Sequence, residues 1–368
     1  MKKLNAVFTG IFLLIIALPF LFMDRKSAVS EKENRTLAAF PRVITSDGRI
    51  DSENIAKFPR MADSYINDRF GFRNTFTTLA AAVNTTKIIN GYVVTGKNDW
   101  LFYSRSDDGN NIADFFKLNL LTKTEISRFI ENIDRRRRWC EDNGIKFIFL
   151  IAPNKHNVYP EYYPFARPEG ITRTEQIMAA LPDTLKDTVI YPLDSLLQHK
   201  GGQNPLYFET GTHWNMAGAY LVYELLLDRI KQLFPQTSFP AIDFVTEISY
   251  DDSDSIAFMS GFSSYGKTTA PVMRPVEGWE RYYRYTKNED RNSIIIENTD
   301  TALPRAVIFR DSFFMALEPF TSTLFSSAEY HWRWFTEQDK QTILQNKPDI
   351  IIWDVVERAT AGIRHLPW

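Results

Sequence analysis

Apolar residues fall into two alternating patterns along the middle and C-terminal parts of the chain. Between Thr122 and Gly144 they recur at helical intervals, at Ile126, Phe129, Ile130, Ile133 and Cys140. Thr122 and Glu125 have the spacing of a capping box, and Gly144 stands where such a helix stops. The residues that follow, Lys146–Ala152, are a short, continuously apolar run of the kind a strand buried on both faces requires. Residues 189–193, 306–309 and 350–356 repeat the strand pattern, and helical stretches separate them, notably 215–233 and 336–345. Residues 96–103 read as a turn entering a strand. Strands alternating with helices predict an α/β fold, a parallel sheet with helices on both faces. Ligands of such sheets bind beyond the carboxyl ends of the strands. That rule singles out residues 153–156, the surroundings of Asp311 and Ser312, and the stretch after Val356.

At the N-terminus, residues 4–23 carry no charge and are flanked by Lys2 and Lys3 on one side and by Asp24, Arg25 and Lys26 on the other. That is about the length a helix needs to cross a bilayer. A cleaved signal peptide would show a shorter apolar stretch and a small-x-small site, whereas Phe20, Leu21, Phe22 and Met23 are all bulky. The expectation is a cytoplasmic tail and uncleaved transmembrane signal anchor over residues 1–26, a polar tether over 27–40, and one α/β domain over 41–368. The protein would be single-pass in the inner (cytoplasmic) membrane, with its domain in the periplasm or another extracytoplasmic space. Ile55, Phe58, Met61, Tyr65 and Ile66 have the spacing of a further helix.

Composition narrows the function. With 43 Lys and Arg against 45 Asp and Glu, the net charge of -2 gives no global basic field, so nucleic acid is not an expected partner. The run Arg135 to Arg138 is the local exception, readable as a solvated helix face or as a contact for an anionic polymer or headgroup. A single cysteine, Cys140, excludes an internal disulfide and a cysteine metal cluster. No metal-ligand spacing, Walker loop or glycine-rich dinucleotide fingerprint stands out, so no cofactor is expected.

Ser312 is the candidate nucleophile, because a strand feeds directly into Arg310-Asp311-Ser312-Phe313 and then an apolar run. A serine on such a turn has an exposed hydroxyl, and nearby backbone N–H groups can stabilise an oxyanion. The structural alternative is an ordinary helix cap. His213, in Gly211-Thr212-His213-Trp214-Asn215, is the candidate base, in a chain with five histidines. Its alternative is again a cap. Asn154 and Lys155 lie at the predicted end of a core strand, where they could donate to an oxyanion or to sugar oxygens, or simply end the strand in a turn. Tyr330, His331, Trp332, Arg333 and Trp334 read either as a saccharide wall, with Arg333 holding a carboxylate, or as a buried aromatic strand.

These segments together resemble a known family. Glu33-Asn34-Arg35-Thr36-Leu37 with Pro41, Asn67-Asp68-Arg69-Phe70 with Phe72 and Arg73, and Asn98-Asp99-Trp100-Leu101-Phe102-Tyr103 come first. Pro153-Asn154-Lys155 with Tyr159 and Glu161, Thr212-His213-Trp214-Asn215 with Gly218, and Asp254-Ser255-Ile256 with Met259 follow. Asp311-Ser312-Phe313 and Lys347-Pro348-Asp349 leading to Glu357-Arg358 close the series. In this order the chain resembles the SGNH-hydrolase-like proteins of polysaccharide O-acetylation, AlgJ and AlgX of alginate among them, and the related DHHW family.

The resemblance implies an SGNH-hydrolase-like, flavodoxin-like sheet in permuted motif order, with the Asp-x-His segment before the serine. It also implies an O-acetyltransferase or acetyl esterase acting on a cell-surface exopolysaccharide, supplied by a multi-pass membrane O-acyltransferase (MBOAT). Carried over residue by residue, Ser312 is the nucleophile and His213 the general base. The acid does not carry over, because the matching position is Gly211. Three readings stay open: a Ser-His dyad, a substitute carboxylate, or a polysaccharide-binding scaffold of an export or acetylation complex without chemistry. Glu209 is the nearest substitute, but in an extended stretch it lies about 13 Å from His213. Contact then requires a bend, which a positive φ at Gly211 would supply.

Overall fold

The computed structural model of the chain describes residues 92–105, 107–250, 254, 256–260, 268–286 and 293–368, and in the N-terminal region 9, 12–14, 17, 20–30, 35–44, 48–69 and 88–89. Two compact units result, one from residues 1–90 with 257–264 and the other from 91–256 with 265–368. The large unit therefore begins at residue 91.

In the small unit, helix α1 (Ser52–Arg69) is the main element. Its last residue, Arg69, is buried and donates to the carbonyls of Asp24 at 3.1 Å, Ser27 at 2.7 Å and Ala38 at 3.2 Å. The ends of the expected tether are thus bound to a helix rather than left free. Most of the expected anchor, residues 4–23, lies outside the described residues, and among the described residues no helix is long and apolar enough to cross a membrane.

The large unit is built on a seven-stranded sheet. A hairpin of β1 (Val93–Thr95) and β2 (Leu101–Tyr103) precedes α2 (Lys123–Asp142), β3 (Lys146–Ala152) and β4 (Val189–Ile190). Then come α3 (Met216–Leu233), a separate antiparallel pair of β5 (Phe244–Tyr250) and β6 (Thr269–Pro275), and strands β7 (Tyr283–Thr286), β8 (Ser293–Asn298) and β9 (Arg305–Phe309). β10 (Ser327–His331), α4 (Lys340–Asn346) and β11 (Ile350–Val356) complete it. The sheet order is β7-β8-β10-β9-β11-β3-β4. The five strands from β10 to β4 run parallel, whereas β7 and β8 add antiparallel to one edge. The sheet is therefore mixed, not wholly parallel as expected.

Local chemistry explains the elements that form. Thr122 and Glu125 make the expected capping box at the start of α2, and Asn215 caps α3 by accepting from the N–H groups of Ala217 and Gly218. Residue 193 does not continue β4, because Pro192 turns the chain into a short helix, Leu193–His199. Every residue of β11 is buried, and its side chains alternate between two apolar layers. One layer contains Ile350 and Ile352 with Trp214, Phe313 and Tyr223 of α3; the other contains Ile351 and Trp353 with Phe129 of α2.

The arginine run divides between core and surface. Arg136 is buried, its guanidinium 4.9 Å from the Trp353 ring centre and 4.5 Å from that of Trp368. Arg135, Arg137 and Arg138 pair with Glu131, Asp134 and Glu141 of their own helix. Three of the four arginines thus lie on a helix face as the solvated-face reading expects, whereas Arg136 turns into the core.

Candidate active site

Strand β9 delivers the serine. It ends at Phe309, and a 3-10 turn begins at Ser312. Asp311 fixes this turn, since its carboxylate accepts the N–H of Phe313 at 2.8 Å and that of Val356, at the end of β11, at 2.6 Å. The serine thereby stands at the carboxyl edge of the parallel strands, where the topology rule places it.

His213 arrives from the loop ahead of α3. The Trp214 indole donates to the Phe313 carbonyl at 2.8 Å, and the Phe313 ring meets the His213 ring at 4.5 Å. These contacts bring His213 Nε2 to 2.7 Å from Ser312 Oγ. On the other side of the imidazole, Nδ1 bonds Asp254 Oδ1, and Asp254 Oδ2 accepts the His213 backbone N–H at 2.7 Å. With Nδ1–H held by the carboxylate, Nε2 presents its lone pair to the serine hydroxyl. The side chains of His213 and Asp254 keep 21% and 13% of their exposure, so the group borders a surface that a substrate can reach.

Glu209 does not take the expected place of the acid. It is exposed at the tip of a tight loop, closed by a bond from Phe208 N to His213 O at 3.1 Å, while Asp254 occupies Nδ1. Gly211 does not adopt the positive φ that such a contact was expected to need. Its function is to leave space. A Cβ at 211 would lie 2.8 Å from the Asp254 carbonyl oxygen and closer still to its carboxylate. The residue that lacks an acid is therefore the one that admits an acid from elsewhere.

Lys155 has a different task from the one expected. Its buried ammonium donates to the carbonyls of Leu101 at 2.8 Å, Phe208 at 2.6 Å, Glu209 at 2.7 Å and Gly211 at 2.9 Å. It also lies 4.7 Å from the Trp100 ring centre and 5.0 Å from that of Phe102. Burial pushes its pKa down to about 7, opposed by the charges of Asp254 and Glu209. Four carbonyl oxygens and two ring faces favour the ammonium, whose three N–H groups serve them better than the two of an amine. The lysine fastens the loop that leads to His213, so it is not free to donate to an oxyanion.

Asn154 sits at the end of β3 as expected. Its backbone N–H donates to Glu357 at 2.7 Å, and its buried side-chain amide makes no hydrogen bond among the described residues. Arg333 is placed away from the serine. Its guanidinium pairs with Asp339 and lies over Phe309, in the layer opposite Trp214 and Phe313. The alternation of β10 carries odd-numbered residues to that side. Trp332 points the other way, about half exposed, with the Arg310 guanidinium 4.4 Å from its ring centre. Among the described residues, no group of three or more His, Cys, Asp or Glu is placed to hold a metal ion.

Beneath the serine turn lies a group that the sequence did not single out. Asp354 of β11 is fully buried, and burial together with the neighbouring Asp311 carboxylate pushes its carboxyl well above the usual range. Glu357 nearby is also raised by burial, although it accepts from Asn154 N–H, Asn157 and Tyr191.

The chain is similar to several solved structures. Bacillus cereus PatB1 bearing a sulfonyl adduct superposes with a TM-score of 0.54 at 18% identity, over 75% of this chain and 100% of its own. A DHHW family protein from Eubacterium siraeum gives 0.49 at 13% identity, over 77% and 97%. The O-acetyltransferase domain of Pseudomonas putida AlgJ gives 0.44 at 18% identity, over 73% and 92%. No curated protein matches by sequence. The model of the SGNH hydrolase-like domain of acetyltransferase AlgX matches residues 93–291, which include His213 and Asp254 and stop short of Ser312. Matched over more than half its length, the chain belongs to the AlgX family of SGNH-hydrolase-like acetyltransferase domains.

Proposed function

We propose that the chain moves O-acetyl groups on a cell-surface polysaccharide through an acyl-Ser312 intermediate, with His213 as general base and Asp254 as the orienting acid. The contiguous line from Ser312 Oγ through both imidazole nitrogens to a carboxylate carries this reading. Ser312 Oγ attacks the acetyl carbonyl as its proton passes to His213 Nε2. The imidazolium that forms is stabilised by Asp254. His213 then returns the proton to the leaving oxygen of the donor, and the acetyl group stays on Ser312. In the second half, a hydroxyl loses its proton to His213 and attacks the acyl carbon, and Ser312 Oγ recovers the proton as the ester bond breaks. A sugar hydroxyl in that step makes the protein a transferase; water makes it an esterase.

The Phe313 N–H is committed to Asp311 and so does not serve an oxyanion. A scaffold that only bound polysaccharide would need no such alignment, and the assembled triad favours chemistry. Hydrolysis of a small acetyl ester is the direct test. Ser312→Ala should reduce turnover by about 10³ or more, and a sulfonyl fluoride should label Ser312 in the native protein only. Equal turnover in the variant and the native protein would sink the proposal.

An anchor over residues 4–23 would hold the domain outside the cytoplasm beside a membrane acyltransferase that supplies the acyl group. A reporter fused after Lys26 should be active outside the cytoplasm, and activity inside it would reverse the topology.

A further inference from the structure

The carboxyl of Asp354 is a buried group for which the serine mechanism has no use. It lies on β11 one position past Trp353, which pairs with Phe309 of β9, on the sheet face that also carries Ile350, Ile352 and Val356. Asp311 reaches across the same place, since its carboxylate bonds the N–H of Val356. The two acids therefore face each other beneath the turn that presents Ser312. The surroundings divide them. Asp311 accepts two backbone N–H groups, whereas neither oxygen of Asp354 closes a hydrogen bond with any donor among the described residues. The groups that face Asp354 are the Asp311 carboxylate and backbone N–H and the Arg310 guanidinium. Arg310 is drawn away towards Glu318, at 3.5 Å, and the Trp332 ring. A single proton between two such carboxyls belongs on the one whose donors close no hydrogen bond of ordinary geometry, because the other is already solvated as an anion.

We propose that Asp354 is a positioning residue, a neutral acid whose O–H donates to the Asp311 carboxylate and so locks the turn that aims Ser312 at His213. Two backbone donors and one acid proton then hold Asp311, and the serine hydroxyl stays in line with Nε2. The inference rests on the reading of Ser312 as nucleophile for its kinetic consequence, but not for the protonation state itself.

Its sign with pH follows. The folded-state pKa of Asp354 is raised above its unfolded value, so its contribution to stability is complete below about pH 4 and is lost as pH rises through the folded value. Asp354→Asn keeps a donor and removes that loss, so its stability should gain on the native protein as pH rises. Asp354→Leu removes the donor, and a misaimed serine should cost roughly 10-fold to 10²-fold in kcat with KM little changed.

The test combines infrared spectroscopy of the full chain at neutral pH with kinetics on a small acetyl ester. The native-minus-Asn difference should show a neutral-carboxyl C=O band, and Asp354→Asn should restore most of the turnover that Asp354→Leu loses. If no neutral-carboxyl band disappears in Asp354→Asn, the inference is overturned, whether or not Asp354→Leu folds. Equal kcat for the Leu and Asn variants would overturn the positioning role. Failure of the acyl-serine reading would show separately, as activity surviving in Ser312→Ala.

Discussion

The serine half of the site and the histidine half are held by different kinds of contact. Asp311 fixes the serine turn through Phe313, two residues away, and Val356, at the end of a hydrogen-bonded neighbouring strand. The histidine half depends on loops, with Asp254 reaching His213 from 41 residues along the chain and Lys155 reaching the 208–211 loop from 53 to 56 residues away. A turn at a strand end inherits its geometry from the sheet. A loop held by side chains does not, so there the residue that supplies a given group can move while the group stays in place. With Asp254 as the orienting acid, as proposed, its place beside Gly211 is such a displacement.

The largest expected effect tests that difference directly. Asp254→Asn should lower turnover of a small acetyl ester by about 10⁴, because an amide donating to Nδ1 imposes the wrong tautomer. Glu209→Gln should change little, given its exposed position. Gly211→Asp places a new Cβ against the Asp254 carboxylate and carbonyl, so it should cost about 10² rather than raise the rate by restoring a missing acid. The double variant Gly211→Asp, Asp254→Gly should then recover part of the activity, since it removes the clash with the carboxylate while that with the carbonyl of residue 254 stays. A rate increase in Gly211→Asp alone would show that Asp254 does not act as the orienting acid.

The same contrast explains what was legible in the sequence. The strands buried on both faces, β3, β9 and β11, announce themselves as apolar runs, and the turn after β9 follows from the topology rule. Ser312 follows from these signals, whereas His213 follows from its proton chemistry in a chain with five histidines. Strand β7 does not announce itself, because in Tyr283-Arg284-Tyr285-Thr286 apolar positions alternate with polar ones and a short alternating run does not stand out from a loop, and β10 shows only through Tyr330 and His331. Asp254 stood among the residues of the family resemblance, yet nothing local ties it to His213. The signal that could have found it is the glycine at 211, read as space for a side chain rather than as a loss. Lys155 was marked for its place at a strand end, but a lysine caged by four carbonyls has no signature in sequence.

Lys155 gives the smallest of the expected losses of activity and the sharpest test of how the loop half is held. Its ammonium is the shared donor for Leu101, Phe208, Glu209 and Gly211, so it ties the β2 strand to the loop that precedes His213. Lys155→Met keeps the length and the contact with the Trp100 and Phe102 rings but leaves those carbonyls without their common donor. Buried acceptors so deprived should cost about 2–4 kcal/mol of stability, read as a lower Tm. The loosened loop should cost about 10-fold in kcat, with less change in KM, because the lysine touches the loop and not the substrate. Lys155→Arg should not rescue either loss, since a planar fork cannot converge on four oxygens as a compact ammonium does. If Lys155→Met lowered Tm and left kcat alone, the histidine would be held by Asp254 and Trp214 without the loop behind it. The loop half would then be as locally determined as the serine half.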